Sequence, residues 1–264
     1  NHYVVKIKYK EIGENKMEAY GGFAQVYDEF MDNVDYHQWC DYAAKLLTKY
    51  GAKDGTLVEI GCGTGTGTML FHEKGYNMIG IDLSQEMLEI AESKKEEEEI
   101  MYVLQDATNL QLPYAVPAMV SIGDSMNYIT DYGDFTKVLE RVNEYLEDNG
   151  VFVFDLKTKK YFSDIGEKTI AEDREDSSFI WENYFDEETN INEYYLSVFV
   201  RAEDGRYDKY EEEHFQRGYT LNEVKKAVEK SGLKLEKIYE AFTDNEGTEE
   251  NDRVYVVVRK SNAK

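Results

Sequence analysis

The chain has 264 residues, 42% of them hydrophobic, and 30 basic against 54 acidic side chains give a formal net charge of −24. That apolar share excludes a globally disordered chain, while so large a surplus of acid repels nucleic-acid phosphates and anionic membranes unless a local basic patch intervenes. There is no apolar run near the roughly 20 residues of a membrane span, no signal-peptide pattern, and no C-x-x-C or metal-ligand spacing around Cys40 and Cys62. A cytoplasmic α/β protein without a bound metal, built as one large domain with an insertion, is therefore expected.

Residues 1–16 alternate Val4, Val5, Ile7 and Tyr9 with lysines, and read as an extra edge strand or as a leader ahead of Met17, the second being favoured. From Met17 to Tyr50 the apolar spacing is helical: Phe23, Val26, Tyr27, Phe30 and Met31, then Trp39, Tyr42, Ala43, Leu46 and Leu47. It predicts two amphipathic helices separated by Asp32–Tyr36, with Gly51 as the stop of the second.

Strand and helix patterns then alternate. Strands are predicted near 56–60, 77–82, 100–104, 117–122 and 150–155, and helices near 66–74, 85–95 and 133–147, the last stopped by Asn149-Gly150. The stretch Leu112–Ala118 reads as a loop running into the fourth strand. Such alternation implies right-handed crossovers and a parallel sheet with helices on both faces. From Ser177 to Tyr219 the period drops to two, with turns at Asp186–Asn190 and Glu203–Gly205, which predicts a small antiparallel meander. Residues 156–219 are thus read as an insertion between the two parts of a main domain, 17–155 and 220–260. A helix (Leu221–Ser231) and two strands (Leu233–Phe242 and Arg253–Arg259) finish the chain.

The chemistry concentrates in Thr56-Leu-Val-Glu-Ile-Gly-Cys-Gly-Thr-Gly-Thr-Gly-Thr68, followed by Gly80-Ile-Asp-Leu-Ser84. A buried strand ends at an acid, and glycines at alternate positions let the backbone turn sharply and a ligand lie against it. Asp82, at the end of the next strand, is placed to accept from two ribose hydroxyls. A dinucleotide fingerprint would need glycine at Thr66 or Thr68, and no Gly-Lys-Ser/Thr follows for a phosphate loop. A nicotinamide oxidoreductase is disfavoured on that spacing.

The E-x-G-x-G-x-G run resembles motif I of the class I S-adenosylmethionine-dependent methyltransferases. That resemblance, which extends from Met17 to Arg259, implies a Rossmann-like parallel sheet with an antiparallel final strand pair. It implies S-adenosyl-L-methionine as cofactor and S-adenosyl-L-homocysteine as product. Glu59, Gly61, Cys62, Gly63 and Gly65 would cradle the amino-acid end of the cofactor, and Asp82 would hold its ribose. Leu83 and Met87 would pack on ring or ribose. In Val103-Leu-Gln-Asp-Ala-Thr108, Asp106 would bind the adenine amino group with the Ala107 backbone against the ring, although an acid there also serves as a turn cap.

Ile122-Gly-Asp-Ser-Met-Asn-Tyr128 resembles a signature of small-molecule members, and sets Asp124 beside the transferred methyl. The Asn/Asp-Pro-Pro-aromatic step of many nucleic-acid and protein methyltransferases is missing. Phe23–Asp28 with Val34–Tyr36 and Trp39 resembles the branch of sugar-amine and glycine-type N-methyltransferases. There Tyr27 would reach the methionine carboxylate, Tyr36 and Trp39 would wall the site, and the N-terminal helices and the insertion would form a lid. Phe23 and Trp39 read equally well as the apolar face of a helix. Glu212–Tyr219 would face the acceptor, with His214, Glu213 and Tyr128 as candidate bases and Arg217 as an anion partner or a partner of the chain's own acids.

The expected reaction is in-line methyl transfer to nitrogen or oxygen of a small molecule. Two other readings stand beside it: methylation of RNA or another nucleic acid, which requires a basic groove, and a non-catalytic cofactor sensor, which requires a blocked acceptor pocket. Neither the acceptor nor the oligomeric state follows from these residues.

Overall fold

The computed structural model describes residues 35–95 and 99–261. The expected leader and first helix, including Phe23 and Tyr27, lie outside the described residues. The main body runs α1 (Tyr36–Lys49), β1 (Gly55–Ile60), α2 (Thr66–Glu73), β2 (Tyr76–Asp82), α3 (Gln85–Lys94), β3 (Met101–Leu104), β4 (Val116–Ser121), α4 (Tyr132–Tyr145) and β5 (Leu146–Lys157). Next come α5 (Lys159–Ile165) and the strands β6 (Lys168–Asp173), β7 (Ser177–Asp186), β8 (Ile191–Arg201) and β9 (Tyr207–Arg217). The chain closes with α6 (Leu221–Lys230), β10 (Leu233–Glu240) and β11 (Arg253–Lys260).

Seven strands form one sheet in the order β10-β11-β5-β4-β1-β2-β3. It is parallel except that β11 runs antiparallel to both neighbours. The sheet is buried on both faces, which is why its central strands are unbroken apolar runs such as Val254–Val258 rather than alternating ones. On one face α4 and α6 contribute Phe135, Leu139, Val142, Val224 and Val228 to a core; on the other, α1 and α2 contribute Leu46, Leu47 and Phe71. The helices start where the chain supplies caps. Asp35 accepts from the Gln38 amide, Asp131 caps α4, and Thr220 with Glu223 forms a reciprocal capping box on α6. This is the Rossmann-like α/β architecture that the strand–helix alternation predicts.

Three local readings need correction. Asn149-Gly150 does not stop a helix, because α4 ends at Tyr145 and buried Leu146 opens β5 at once. The dipeptide makes a bulge: Asn149 has φ 65°, and the register against β4 jumps from Val116↔Leu146 to Ala118↔Val151. Pro117 sits inside β4 at that irregularity, where its missing N–H is tolerated, so the loop read as Leu112–Ala118 ends three residues earlier, before Val116. Finally, α5 and β6 occupy a stretch for which no element is predicted, and the insertion holds four strands in the order β6-β7-β8-β9.

Direct pairing in that second sheet puts Trp181, Asn183 and Phe185 of β7 on one face with Asn192 and Tyr194 of β8 and Glu212, His214 and Gln216 of β9. The sheet meets the main body through this face, where Asn183 and Asn192 bond each other in burial and Phe162 of α5 stacks on Phe185.

Candidate active site

The order of the parallel strands reverses beside β1, which lies between β2 and β4, and a crevice opens at the carboxyl ends of such strands. The glycine run fills that position. The amides of Gly61 and Cys62 donate to Ile81 O at 2.7 and 3.0 Å, tying the end of β1 to β2. Gly61 (φ 74°) has no room for a side chain, since a Cβ would lie 2.5 Å from Ser125 Cβ. Ser125 Oγ donates to Gly61 O at 3.1 Å, so the turn after β4 grips the loop. Gly63 (φ 54°) is the opposite case: a Cβ there would meet nothing within 4 Å. Gly65 caps α2 in the left-handed conformation, and the buried Cys62 thiol points back at the loop.

Two acids support this loop differently. Asp82 Oδ2 accepts from the Gly63 amide at 2.8 Å and Oδ1 from the Ser84 amide at 2.9 Å. A carboxylate offers about four lone-pair positions, so about two stay open for a ligand. Beside it Leu83 is 60% exposed, a large apolar side chain held out toward solvent, while Met87 on α3 is half-buried. Glu59 is buried under the loop, where its carboxylate accepts from the Thr68 hydroxyl and packs against Gly67. Its predicted place in the cradle is thus a supporting one. Burial pushes Glu59 up to about 8, against the hydrogen bond from Thr68 that lowers it.

A raised folded pKa means that Glu59 stabilises the fold as the neutral acid. That contribution is full below about pH 4.3, the ordinary glutamate value, and disappears as the pH rises through about 8. Gln keeps the shape and never ionises. The melting temperature of Glu59→Gln relative to the natural chain should therefore climb by at least about 3 °C between pH 5 and pH 8.5 in thermal scans. A constant difference would mean that Glu59 does not change its charge there.

On the next strand end, Asp106 is exposed and caps a single 3-10 turn, Ala107–Asn109, by accepting from the Thr108 amide at 2.8 Å; Ala107 packs on the core. Asp124 behaves otherwise. It is buried in the left-handed conformation (φ 55°) just past β4, and its carboxylate is fully engaged. Arg253 reaches Oδ1 at 2.9 Å, while Lys157 (3.0 Å) and Gln216 (2.7 Å) reach Oδ2. Arg253 also pairs with buried Asp155, which accepts from the Asp124 amide. Burial alone would raise Asp124, but Lys157 and Arg253 outweigh it and hold the carboxyl at about 2. With every partner internal, Asp124 organises the wall rather than presenting a free carboxylate. Trp39 caps this group, its ring 4.6 Å from the Arg253 guanidinium and in contact range of Gly123, with Tyr36 beside it at 5.7 Å.

The opposite wall is aromatic. Tyr128 Oη lies 2.6 Å from Tyr194 Oη and 3.3 Å from His214 Nδ1, and Glu212 lies 2.7 Å from His214 Nε2. Burial pushes the Tyr128 phenol well above its ordinary value, helped by Tyr194. The sequence reading of Glu213 is corrected here. Adjacent strand residues face opposite ways, so Glu213 pairs with Tyr195 on the outer face and its neighbour Glu212 stands beside His214. Arg217 is a partner of the chain's own acids: it binds Glu223 at 2.9 Å and Thr130 O at 3.2 Å. Tyr194, Lys157, Asp155 and Arg253 escape sequence reasoning, though the period of β9 contains the signal for Glu212.

Residues 57–150 match a family model described as a methyltransferase domain. "Putative methyltransferase YqeM" of Bacillus subtilis (strain 168) is 30% identical over 247 residues, covering 92% of this chain and 97% of that protein. A crystal structure of an S-adenosylmethionine-dependent methyltransferase from Clostridium acetobutylicum ATCC 824 superposes with a TM-score of 0.82 at 28% identity, over 92% of this chain and 100% of the other. The sugar N-methyltransferase KedS8 from Streptoalloteichus sp ATCC 53650 shares the fold, with a TM-score of 0.75 at 16% identity over 99% of this chain and 100% of that one.

Proposed function

The chain belongs to the S-adenosylmethionine-dependent methyltransferases, and from that premise we propose that its acceptor is a small molecule methylated on nitrogen or oxygen in the cytoplasm. One observation carries the proposal. Lys157, Arg217 and Arg253, the cations along the walls of the crevice, are each bound to a carboxylate of the chain itself. Paired cations are not offered to a phosphate backbone, and the net charge of −24 adds a general repulsion. The signature Asp124–Tyr128 and the fold shared with a sugar N-methyltransferase support the same reading.

The residues fit the cofactor. The open space over Gly63 suits the amino-acid end, with Gly61, Cys62 and Gly65 shaping the turn and Glu59 bracing it from below. The unfilled lone pairs of Asp82 suit a vicinal diol, and exposed Leu83 with Met87, Asp106 and the Ala107 backbone suits an adenine. Tyr27, outside the described residues, is proposed to reach the methionine carboxylate and Trp39 to wall the site, with Asp124 acting through Arg253 and Trp39. When bound, the cofactor supplies an already activated methyl on a sulfonium. The chain's share is then to orient the acceptor, exclude water and take up a proton. The N-terminal segment and residues 156–219 are assigned the role of a lid over the main domain, and Tyr128 with His214 the role of proton handling.

A screen with isotopically labelled donor tests this reading. The purified chain should methylate at least one member of a panel of primary amines, amino sugars, hydroxy compounds and small acids. Labelling of RNA with none of the panel would overturn it.

A further inference from the structure

Glu212 and His214 stand two residues apart on β9, so both face the turn that follows β4. Their side chains are only 12% and 21% exposed, with Glu212 Oε2 2.7 Å from His214 Nε2. A carboxylate beside Nε2 accepts, so in the neutral form of the ring Nε2 is the nitrogen that carries the proton and Nδ1 is left as an acceptor. The group facing Nδ1 is the Tyr128 hydroxyl at 3.3 Å, which therefore donates to it. Tyr128 Oη, its proton so committed, accepts from the Tyr194 hydroxyl at 2.6 Å. The Tyr194 ring stacks on His214 with centroids 4.5 Å apart at 13°, and Trp181 packs edge-on behind Tyr194, fixing the imidazole plane. One carboxylate thus sets the direction of a whole row of hydrogen bonds. The row ends at Tyr128, on the same short turn as Ser125, whose hydroxyl grips the glycine loop.

We infer that Glu212, His214 and Tyr128 form a proton relay in which the Tyr128 hydroxyl meets the acceptor, His214 stores the proton, and Glu212 is the positioning residue that fixes the tautomer. The inference rests on the acceptor reading above. The acceptor's ammonium N–H or hydroxyl O–H gives its proton to Tyr128 Oη as the Tyr128 proton passes to His214 Nδ1. The acceptor atom is left with the free pair needed for methylation, Tyr128 is unchanged, and an imidazolium remains beside Glu212. Tyr128 never has to exist as a phenolate, which suits a phenol that burial holds protonated. Release of the imidazolium proton to solvent by the reverse route resets the site.

Nitrogen-15 spectra of the labelled, acceptor-free protein test the arrangement. The chain has four histidines, so His214→Gln suffices to assign the ring. In its neutral form the ring of the natural chain should show the Nε2–H tautomer, and Glu212→Gln, whose amide can turn its NH2 toward Nε2, should lose it. An Nδ1–H tautomer, or a spectrum unmoved by Glu212→Gln, overturns the relay. On an acceptor found in the screen, Tyr128→Phe and Glu212→Gln should each lower kcat about 10²-fold or more, with KM for S-adenosylmethionine and calorimetric affinity for S-adenosylhomocysteine unchanged. A kcat within about twofold of the natural chain would equally sink it. Failure of the natural chain to methylate any panel member counts against the acceptor reading instead, and the relay then stands or falls on the spectra.

Discussion

Replacing Arg253 with methionine should destabilise the protein by about 3–5 kcal/mol, the largest single effect expected of any substitution at this site. Methionine keeps the aliphatic stem but not the guanidinium, so most of the loss is electrostatic, with the contact to Trp39 lost as well. Asp124 and Asp155 would stay buried with their shared guanidinium gone, leaving only Lys157 and Gln216 on the first. Urea titrations at pH 7 read the change directly. Its pH dependence gives a second check. Asp124 is held at about 2, below the ordinary aspartate value near 3.9, so its stabilising share is present above that value and is lost as the pH falls through about 2. The deficit of Arg253→Met should accordingly narrow between pH 7 and pH 3 as the orphaned carboxylates take up protons. A deficit that stays constant, or a cost below about 1 kcal/mol, would show that the cluster is not a buried charge network.

Replacing Asp82 with alanine should weaken S-adenosylmethionine binding by about 10–100-fold while leaving the melting temperature within a few degrees. Two effects combine. The carboxylate can no longer accept from ligand hydroxyls, each such charge-assisted bond contributing about 1.5–3 kcal/mol. The Gly63 amide also loses its partner at 2.8 Å, so the loop proposed to cradle the cofactor is released. Asp82→Asn retains an acceptor oxygen without the charge and should fall between. Calorimetry with the cofactor decides: an affinity equal to that of the natural chain would remove Asp82 from the binding site.

Contiguous features are legible in the sequence itself. The glycine run and Asp82 are local statements: a backbone that must turn, and an acid one crossover later at the end of a buried strand. Their spacing argues against a dinucleotide site, the resemblance to motif I points to the methyl donor, and the relatives agree with it. Side-chain pairings across distant strands were not readable in the same way. Nothing near Asp124 in the sequence points to Arg253, and the acid therefore looked like a ligand contact when it is a buried partner. Alternation fixes which residues of β9 share a face but not which face turns inward, so Glu213 reads as the candidate although Glu212 is the acid beside His214. Asn149-Gly150 suits a helix stop and a bulge alike. Only the burial of Leu146 against β4 tells them apart.

The reversed strand β11 has a consequence for biosynthesis. It brings Arg253 to the site 98 residues after Asp155 and 129 after Asp124. At about 5–20 residues per second, a nascent chain spends roughly 6–26 s with Asp124 translated and its guanidinium not yet made. Strand β10 waits as well, since among the described strands it borders β11 alone. A chain released from the ribosome just short of β11 would own every glycine of the loop and every acid below it, yet have neither the bolt that closes the wall nor a seat for its own last strand.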